Sequence, residues 1–423
     1  MKGDRMYPNP QDVVSLPARP NLSQYKKQAK DLSKACRSRG QNGVREWAEQ
    51  WIDRHGPIDA FSEFAWKKLS AGDCALSDAQ FAIARAYGFL SWPKFAAHVE
   101  ALQRANSPIC AFENGADAIV SGDLATLERL LHDEPSLIHA RSTREHRATL
   151  LHYVAANGVE NYRQKTPKNI VQVTQLLLSA GAEVDATADM YGGNATALGL
   201  AATSIHPLRA GVQIALIDLL LQHGAEMDLS GGAGRHVSII NGCLANGRRE
   251  AAEHLARRGA KLDLESAAGV GRIDVVQQFF DADGTLKPTA TSTQMLRGFG
   301  WACEYGRTAV VEFLLNHGID AGAMLQGETG LHWAAFGGHL AIVDLLLERQ
   351  GPLDIVDERF DATPLSWALY AWGTDPKHPD RYYRVVEQLV AAGATVKPEW
   401  LEHSTIRADA RMVQALTKSQ KSG

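Results

Sequence analysis

The chain predicts an all-α repeat solenoid preceded by a small helical domain. Three observations carry that expectation. First, residues 328–354, ETGLHWAAFGGHLAIVDLLLERQGPLD, hold two apolar stripes broken by Gly337 and Gly338. Residues 331–335 form the first. Leu340, Ile342, Val343, Leu345, Leu346 and Leu347 form the second, and Gly351 closes it. That order reads helix, tight turn, helix, turn, and two such short helices cannot bury their apolar faces without neighbours of the same kind. Second, related units recur along the chain. Third, the glycines at the internal turn keep a near-constant spacing. By subtraction, Gly122 to Gly158 is 36, Gly271 to Gly306 is 35 and Gly306 to Gly338 is 32, scattered about the roughly 33 of a helix-turn-helix repeat.

Composition sets the outer bounds. A chain of 423 residues exceeds one small domain. Its 45% hydrophobic and 22% charged content is that of an ordinary globular protein, which excludes a disordered or membrane-dominated chain. No run reaches the roughly 18 apolar residues of a membrane span. Five scattered cysteines, odd in number and without CxxC spacing, fit a reducing, cytoplasmic setting (Cys36, Cys74, Cys110, Cys243, Cys303). A net charge of -4 calls for no polyanionic partner.

Residues 1–20 carry Pro8, Pro10, Pro17 and Pro20 and no apolar h-region, so they read as a flexible tail without a secretory signal. Residues 21–107 read as a helical head. Leu22, Tyr25, Ala29, Leu32, Ala35 and Cys36 recur at three and four and mark one helix face. The opposite face carries Lys26, Lys27, Lys30, Lys34, Arg37 and Arg39 against Asp31. A solvated helix face is the plain reading of that stripe; a nucleic-acid contact is the alternative. Helical patterns continue over 44–55 and 58–69, with Trp47, Trp51, Phe61, Phe64 and Trp66. Ser77 with Gln80 suggests a capping box for a helix to Tyr87. Ser91 suggests a second N-cap, followed by Pro93 in the first turn. Four or five helices are expected in all.

Residues 108–423 hold about eight repeats and a C-terminal cap. The first keeps Gly122. The second opens TLLHYVAANG and closes LLLSAGAEVDA; the third opens TALGLAA and closes LLLQHGAEMD. The fourth is SIINGCLANGRREAAEHLARRGAKLD, the fifth SAAGVGRIDVVQQFF, and the sixth GWACEYGRTAVVEFLLNHGID. The eighth opens TPLSWALYAW, and IRADARMVQAL is a half-polar helix suited to closing the stack. Gly247 to Gly271 is only 24 by subtraction, so almost no hairpin fits between repeats four and five. Excess residues at 159–169, 204–213 and 373–382 are insertions between inner and outer helices, and insertions on one edge tend to be functional loops.

The box Thr329, Leu331, His332, Ala334, Ala335 and Gly338, with Gly330 in place of proline, resembles the ankyrin repeat, and the resemblance spans residues 116–416. It implies that His152 and His332 bond backbone between repeats, and that Tyr153, Trp333 and Trp367 face the core. It also implies that the two residues before each turn glycine line a concave groove. Those are Glu304 and Tyr305 in repeat six, Phe336 and Gly337 in repeat seven, and Tyr370 and Ala371 in repeat eight, where Trp372 stands in the glycine place. The head resembles one found before the repeats of some bacterial ankyrin proteins. That head has no assigned chemistry, and its expected role is to cap the apolar end of the stack.

No HExxH, GxxxxGK[ST] or GxSxG motif is present. Lys377 beside His378 and Asp380 argues against a metal site there. The expected function is therefore a non-catalytic scaffold for a protein partner, monomeric, with no cofactor, metal or membrane. Its expected contact residues are Glu304, Tyr305, Phe336, Tyr370 and Trp372, since aromatics are common interface anchors. Two alternatives are a nucleic-acid-associated regulator using the basic head helix, and a small-anion site at the insertions. The second would use Tyr162, Arg163, Lys165, Lys168, His206 and Arg209.

Overall fold

A computed structural model describes residues 13–17, 19–55, 74–104, 107–227, 238–325, 327–375 and 377–417, with the side chains of 39, 41 and 51–55 left aside. The expected helix at 58–69, with Phe61, Phe64 and Trp66, and most of the expected tail fall outside the described residues. The regular structure of the described residues is helical apart from two short hairpins, and the chain packs as two compact units, Met1–Gly242 and Cys243–Gly423.

In the first unit, the helix Leu22–His55 is broken at Gly40, whose φ of 56° leaves the helical region. Leu22, Tyr25, Ala29, Leu32 and Cys36 are buried and Ala35 is half-buried, while Lys26, Lys27, Lys30, Lys34 and Arg37 are exposed. The helices Leu76–Ala86 and Trp92–Leu102 pack with it around Tyr25, Tyr87, Phe89 and Phe95. Tyr25 meets Tyr87 and Phe95 edge-on at 5.2 and 5.0 Å. The expected Ser77 box is replaced by one that starts two residues earlier. Ala75 is the N-cap, and the Asp78 carboxylate accepts from its N–H at 3.1 Å. An acidic side chain in the first turn also suits the helix dipole. Ser91 does stand at the next N-cap, but its side chain makes no cap bond.

Repeats one to three follow in the same unit. Repeat one is Pro108–Ser121 and Leu124–Asp133, opened by Ser107, whose Oγ accepts from Cys110 N at 3.0 Å. Repeat two has an inner 3-10 segment, Leu150–Ala155, and an outer helix, Ile170–Ser179; repeat three is Ala197–Thr203 and Gln213–Gln222. The short helices Asn161–Arg163 and Ile205–Arg209 occupy the two expected insertions.

The inner helix of repeat four, Ile239–Ala245, spans the division between the units. Arg249–Arg257 is its outer helix, and Leu264–Val270 follows with no strand or helix between. Repeats five to eight continue with Ile273–Val276, Ser292–Glu304 with Thr308–Asn316, Gly330–Gly337 with Leu340–Glu348, and Pro364–Thr374 with Pro379–Ala391. Ala410–Thr417 packs on the last of these, and its Met412, Ala415 and Leu416 join the core.

Two devices set the register of the repeats. The turn glycines 122, 158, 247, 271, 306 and 338 all have φ between 68° and 81°, the left-handed region that stops a helix at little cost only for glycine. In the second unit three of them also carry a side chain from the next repeat, two arginines and a histidine that burial keeps neutral. A Cβ on Gly271, Gly306 or Gly338 would come within 2.9 Å of Arg307, His339 or Arg381 respectively. The box histidines act as expected. Thr329 N donates to His332 Nδ1 and His332 Nε2 donates to Ala362 O, both at 3.1 Å. His152 bonds Thr149 N and Ala195 O in the same way. Burial lowers the pKa of both rings, which suits a neutral imidazole with one acceptor and one donor nitrogen.

Candidate partner-binding surface

The five expected contact residues divide in the structure. Tyr370 is 67% exposed and Phe336 is half-buried, so both reach the surface. Tyr305 does not: it is 8% exposed, and its hydroxyl donates to Leu244 O at 2.6 Å. A backbone acceptor within reach drew the ring inward, which the spacing of residues could not reveal. Trp372 is also displaced. Its helix runs on through Gly373 to Thr374, and the indole packs on the core beside Tyr383 at 6.5 Å. Glu304 is half-buried with Oε2 unbonded, and burial pushes its carboxyl up to about 7. Its carbonyl accepts from His339 Nε2 at 2.8 Å, and Gly337 lies so close that a Cβ there would fall 2.5 Å from the same oxygen.

A row of rings lies beside Phe336. Trp301, Trp333 and Trp367 hold the same place in three successive inner helices, with centroids 6.4 and 5.0 Å apart. Phe336 and Phe360 flank Trp367 at 5.8 and 6.2 Å. Trp367 is buried and Trp333, though half-buried, packs against the core, both as expected; Trp301 is half-buried. The spacing carried a signal for the row: 301 to 333 is 32 and 333 to 367 is 34, so one box position holds tryptophan three times. Phe360, 60% exposed, had no such signal because it lies on the loop before repeat eight. Asp357 shapes that loop. Its carboxylate accepts from Arg359 N and Phe360 N at 2.9 and 2.7 Å, and from Ala362 N and Trp367 Nε1 at 3.2 and 3.0 Å. The loop is thus fastened to the indole, and the guanidinium of Arg359 sits 4.9 Å over the Phe360 ring.

The insertion cations take a different course. Arg163, expected at an open edge, is 4% exposed. Its Nη1 donates to Glu113 Oε2 at 2.7 Å and its Nε to Asp117 Oδ1 at 2.7 Å, so the ion-pair network consumes the charge. Arg144 joins at 2.5 Å from Glu113 and 2.8 Å from Glu160, and also donates to the Tyr162 hydroxyl at 3.3 Å. Burial alone would raise the carboxyl of Glu113, yet Arg144 and Arg163 hold it at about 2. The same balance keeps Glu160 well below the usual range, with Arg144 the main counter-charge. Residues 85–98 pack against this network and the loop beside it. Arg85 pairs with Glu145 at 2.7 Å, His98 Nδ1 lies 2.7 Å from Thr143 Oγ1, and the guanidinium of Arg144 lies 5.6 Å from the Phe89 ring centre. Of the other insertion residues, Lys165, Lys168 and Arg209 are exposed and His206 is half-buried. On the basic head helix, Arg37 is committed inward, donating to Cys74 O at 3.0 Å and Ser33 Oγ at 2.9 Å.

The fold and its repeated box define an all-α repeat protein. Residues 264–357 and 299–398 match the family model "Ankyrin repeats (3 copies)", so that stretch of the chain is built of ankyrin repeats. It is 27% identical over 207 residues to the "Ankyrin repeat and KH domain-containing protein mask-1" of Caenorhabditis elegans. That match takes in 47% of this chain and 7% of the relative, so the chain spans a small part of the relative's length. Among solved structures it is similar to the human ASB11 ankyrin repeat domain at 20% identity. That likeness covers 67% of this chain and 99% of the other, with a TM-score of 0.35.

Proposed function

We propose that the protein is a non-catalytic cytoplasmic scaffold, monomeric, that holds a protein partner on the aromatic row of repeats six to eight. In this reading residues 21–107 cap the stack formed by 108–423. Ankyrin repeats generally mediate protein–protein interaction. The observation that carries the finer reading is the pair of exposed rings Phe360, which packs on Trp367 beside Phe336 and Trp333, and Tyr370, three residues after Trp367 on the same helix. Rigid aromatic side chains lose little entropy on binding, and a few of them dominate most interfaces. The test begins with capture from native extract and identification of the bound protein by mass spectrometry. Phe336→Ala with Tyr370→Ala is then expected to weaken that partner at least tenfold, since about 1.4 kcal/mol is one decade. The circular dichroism spectrum should not change. Lys165→Ala with Lys168→Ala should leave the affinity as it was. Loss of binding in the lysine variant alone would move the surface to the insertions and refute the row.

A further inference from the structure

The second unit also holds a cleft that this reading does not use. It measures about 270 Å³, and Arg249, Arg257, Arg272 and Arg307 line it around the carboxylate of Glu253. The four arginines come from three consecutive repeats. Arg249 and Arg257 are the first and last residues of the outer helix of repeat four. Arg272 follows the turn glycine of repeat five, and Arg307 that of repeat six.

Two of the guanidiniums are held in place. Arg307 donates through Nε to Gly269 O at 3.0 Å, lies over Gly271, and pairs through Nη2 with Glu253. Arg249 Nε donates to the same carboxylate at 2.8 Å. Burial would raise Glu253, but its bonds from Arg307 and Arg249 bring it below the usual carboxylate range, so it stays ionised and keeps both cations in position. The other two are exposed. Arg272 spends two donors on Asp274, at 2.8 and 2.6 Å. Arg257 makes no ion pair among the described residues. A guanidinium has five N–H donors, so each of the four keeps donors for a ligand. The charge sums to four positive minus two negative, from Glu253 and Asp274, or +2.

We propose that this cleft binds a phosphate group, either inorganic phosphate or a phosphomonoester. The group carries about -1.5 to -2 at neutral pH and three acceptor oxygens, which matches the net charge and the fan of unspent donors. A carboxylate would leave half of that charge unanswered. The phosphate could be free or borne on a peptide, and both sources present the same chemistry.

The experiment is isothermal titration of the full chain at low ionic strength. The titrants are inorganic phosphate, a pentapeptide with one phosphoserine between glycines, and the same peptide with glutamate at that place. Saturable binding of either phosphate is expected, with the glutamate peptide at least tenfold weaker than the phosphopeptide. Binding of inorganic phosphate alone assigns the site to free phosphates, and a preference for the phosphopeptide assigns it to a chain-borne one. Arg257→Ala with Arg272→Ala changes only exposed side chains and should weaken binding at least tenfold. Lys165→Ala with Lys168→Ala, which removes as much charge elsewhere, should have no effect. The proposal is overturned if neither phosphate binds, if the glutamate peptide binds equally well, or if the two double variants behave alike.

Discussion

Arg163 and Arg257 are the same side chain in opposite circumstances. Arg163 lies on an insertion, where an exposed functional cation is expected, yet its side chain is 5% exposed and meets Glu113, Asp117 and Glu160. Arg257 lies on an unremarked outer helix and faces solvent beside three more arginines. The difference teaches that an insertion is not a binding loop merely because it is extra. Where it folds back over a repeat, its charges must be paired before they can leave water. Where consecutive repeats each place a cation near one turn, the spacing of the stack gathers them with fewer carboxylates than cations.

The sharpest way to break this contrast is to remove Arg163. Arg163→Ala leaves Glu113 buried with one arginine instead of two, and loss of one partner of a buried pair costs about 3–5 kcal/mol. Urea denaturation should show that loss, whereas Arg257→Ala should change stability by no more than about 0.5 kcal/mol. Equal effects at the two sites would erase the distinction. Next in size is Ala335→Leu. Ala335 is fully buried between inner helices, and overpacking there should cost about 1–3 kcal/mol, read as a lower melting midpoint.

Two buried groups, one in each unit, should also answer pH in opposite senses. His98, in the first, is lowered from 6.5 to about 4, by burial first and by Arg144 second. Between those values the unfolded chain binds the extra proton, so this group makes stability fall as pH drops from 6.5 towards 4. Glu304, in the second, is raised from 4.5 to about 7 by burial. The folded chain then holds the extra proton, so its contribution is full below 4.5 and is lost as pH rises through 7. Glu304→Gln should therefore be relatively more stable than the parent at pH 8 than at pH 4, and His98→Asn should flatten the acid side of the profile. A parallel pH profile for Glu304→Gln and the parent would show that the Glu304 carboxyl is not perturbed. The smallest expected effect is at the exposed pair Arg129 and Asp133, 3.4 Å apart on one helix. Arg129→Ala should cost no more than about 0.5 kcal/mol and serves as the baseline for the others.

How much could be read beforehand follows the same division. Turn glycines, box histidines, apolar stripes and the positions of the first two insertions are visible in the residue order, whereas most of 373–382 belongs to the two helices of repeat eight. Each depends on a local rule, whether a left-handed φ, a 3.6-residue period or a fixed offset within the box, and such rules act over a few residues. The helix starts at Leu76, two residues before the start that Ser77 suggests, because the Asp78 carboxylate, at the third helical position, accepts from the Ala75 N–H.

Surface chemistry was legible only in part. Phe336 and Tyr370 emerged where the repeat rule put them, but Tyr305 turned in to Leu244 O and Trp372 turned to the outer helix. The partner of Tyr305 lies 61 residues away in the chain, and that of Arg163, Glu113, lies 50 away. Pairings at that distance exist only once the repeats have stacked. The sequence by itself determined that there are repeats, where each turns, and which faces are apolar, because period and glycine conformation are properties of the local chain. The tertiary structure alone decided which polar and aromatic side chains stay available, because burial and ion pairing depend on what neighbouring repeats bring alongside.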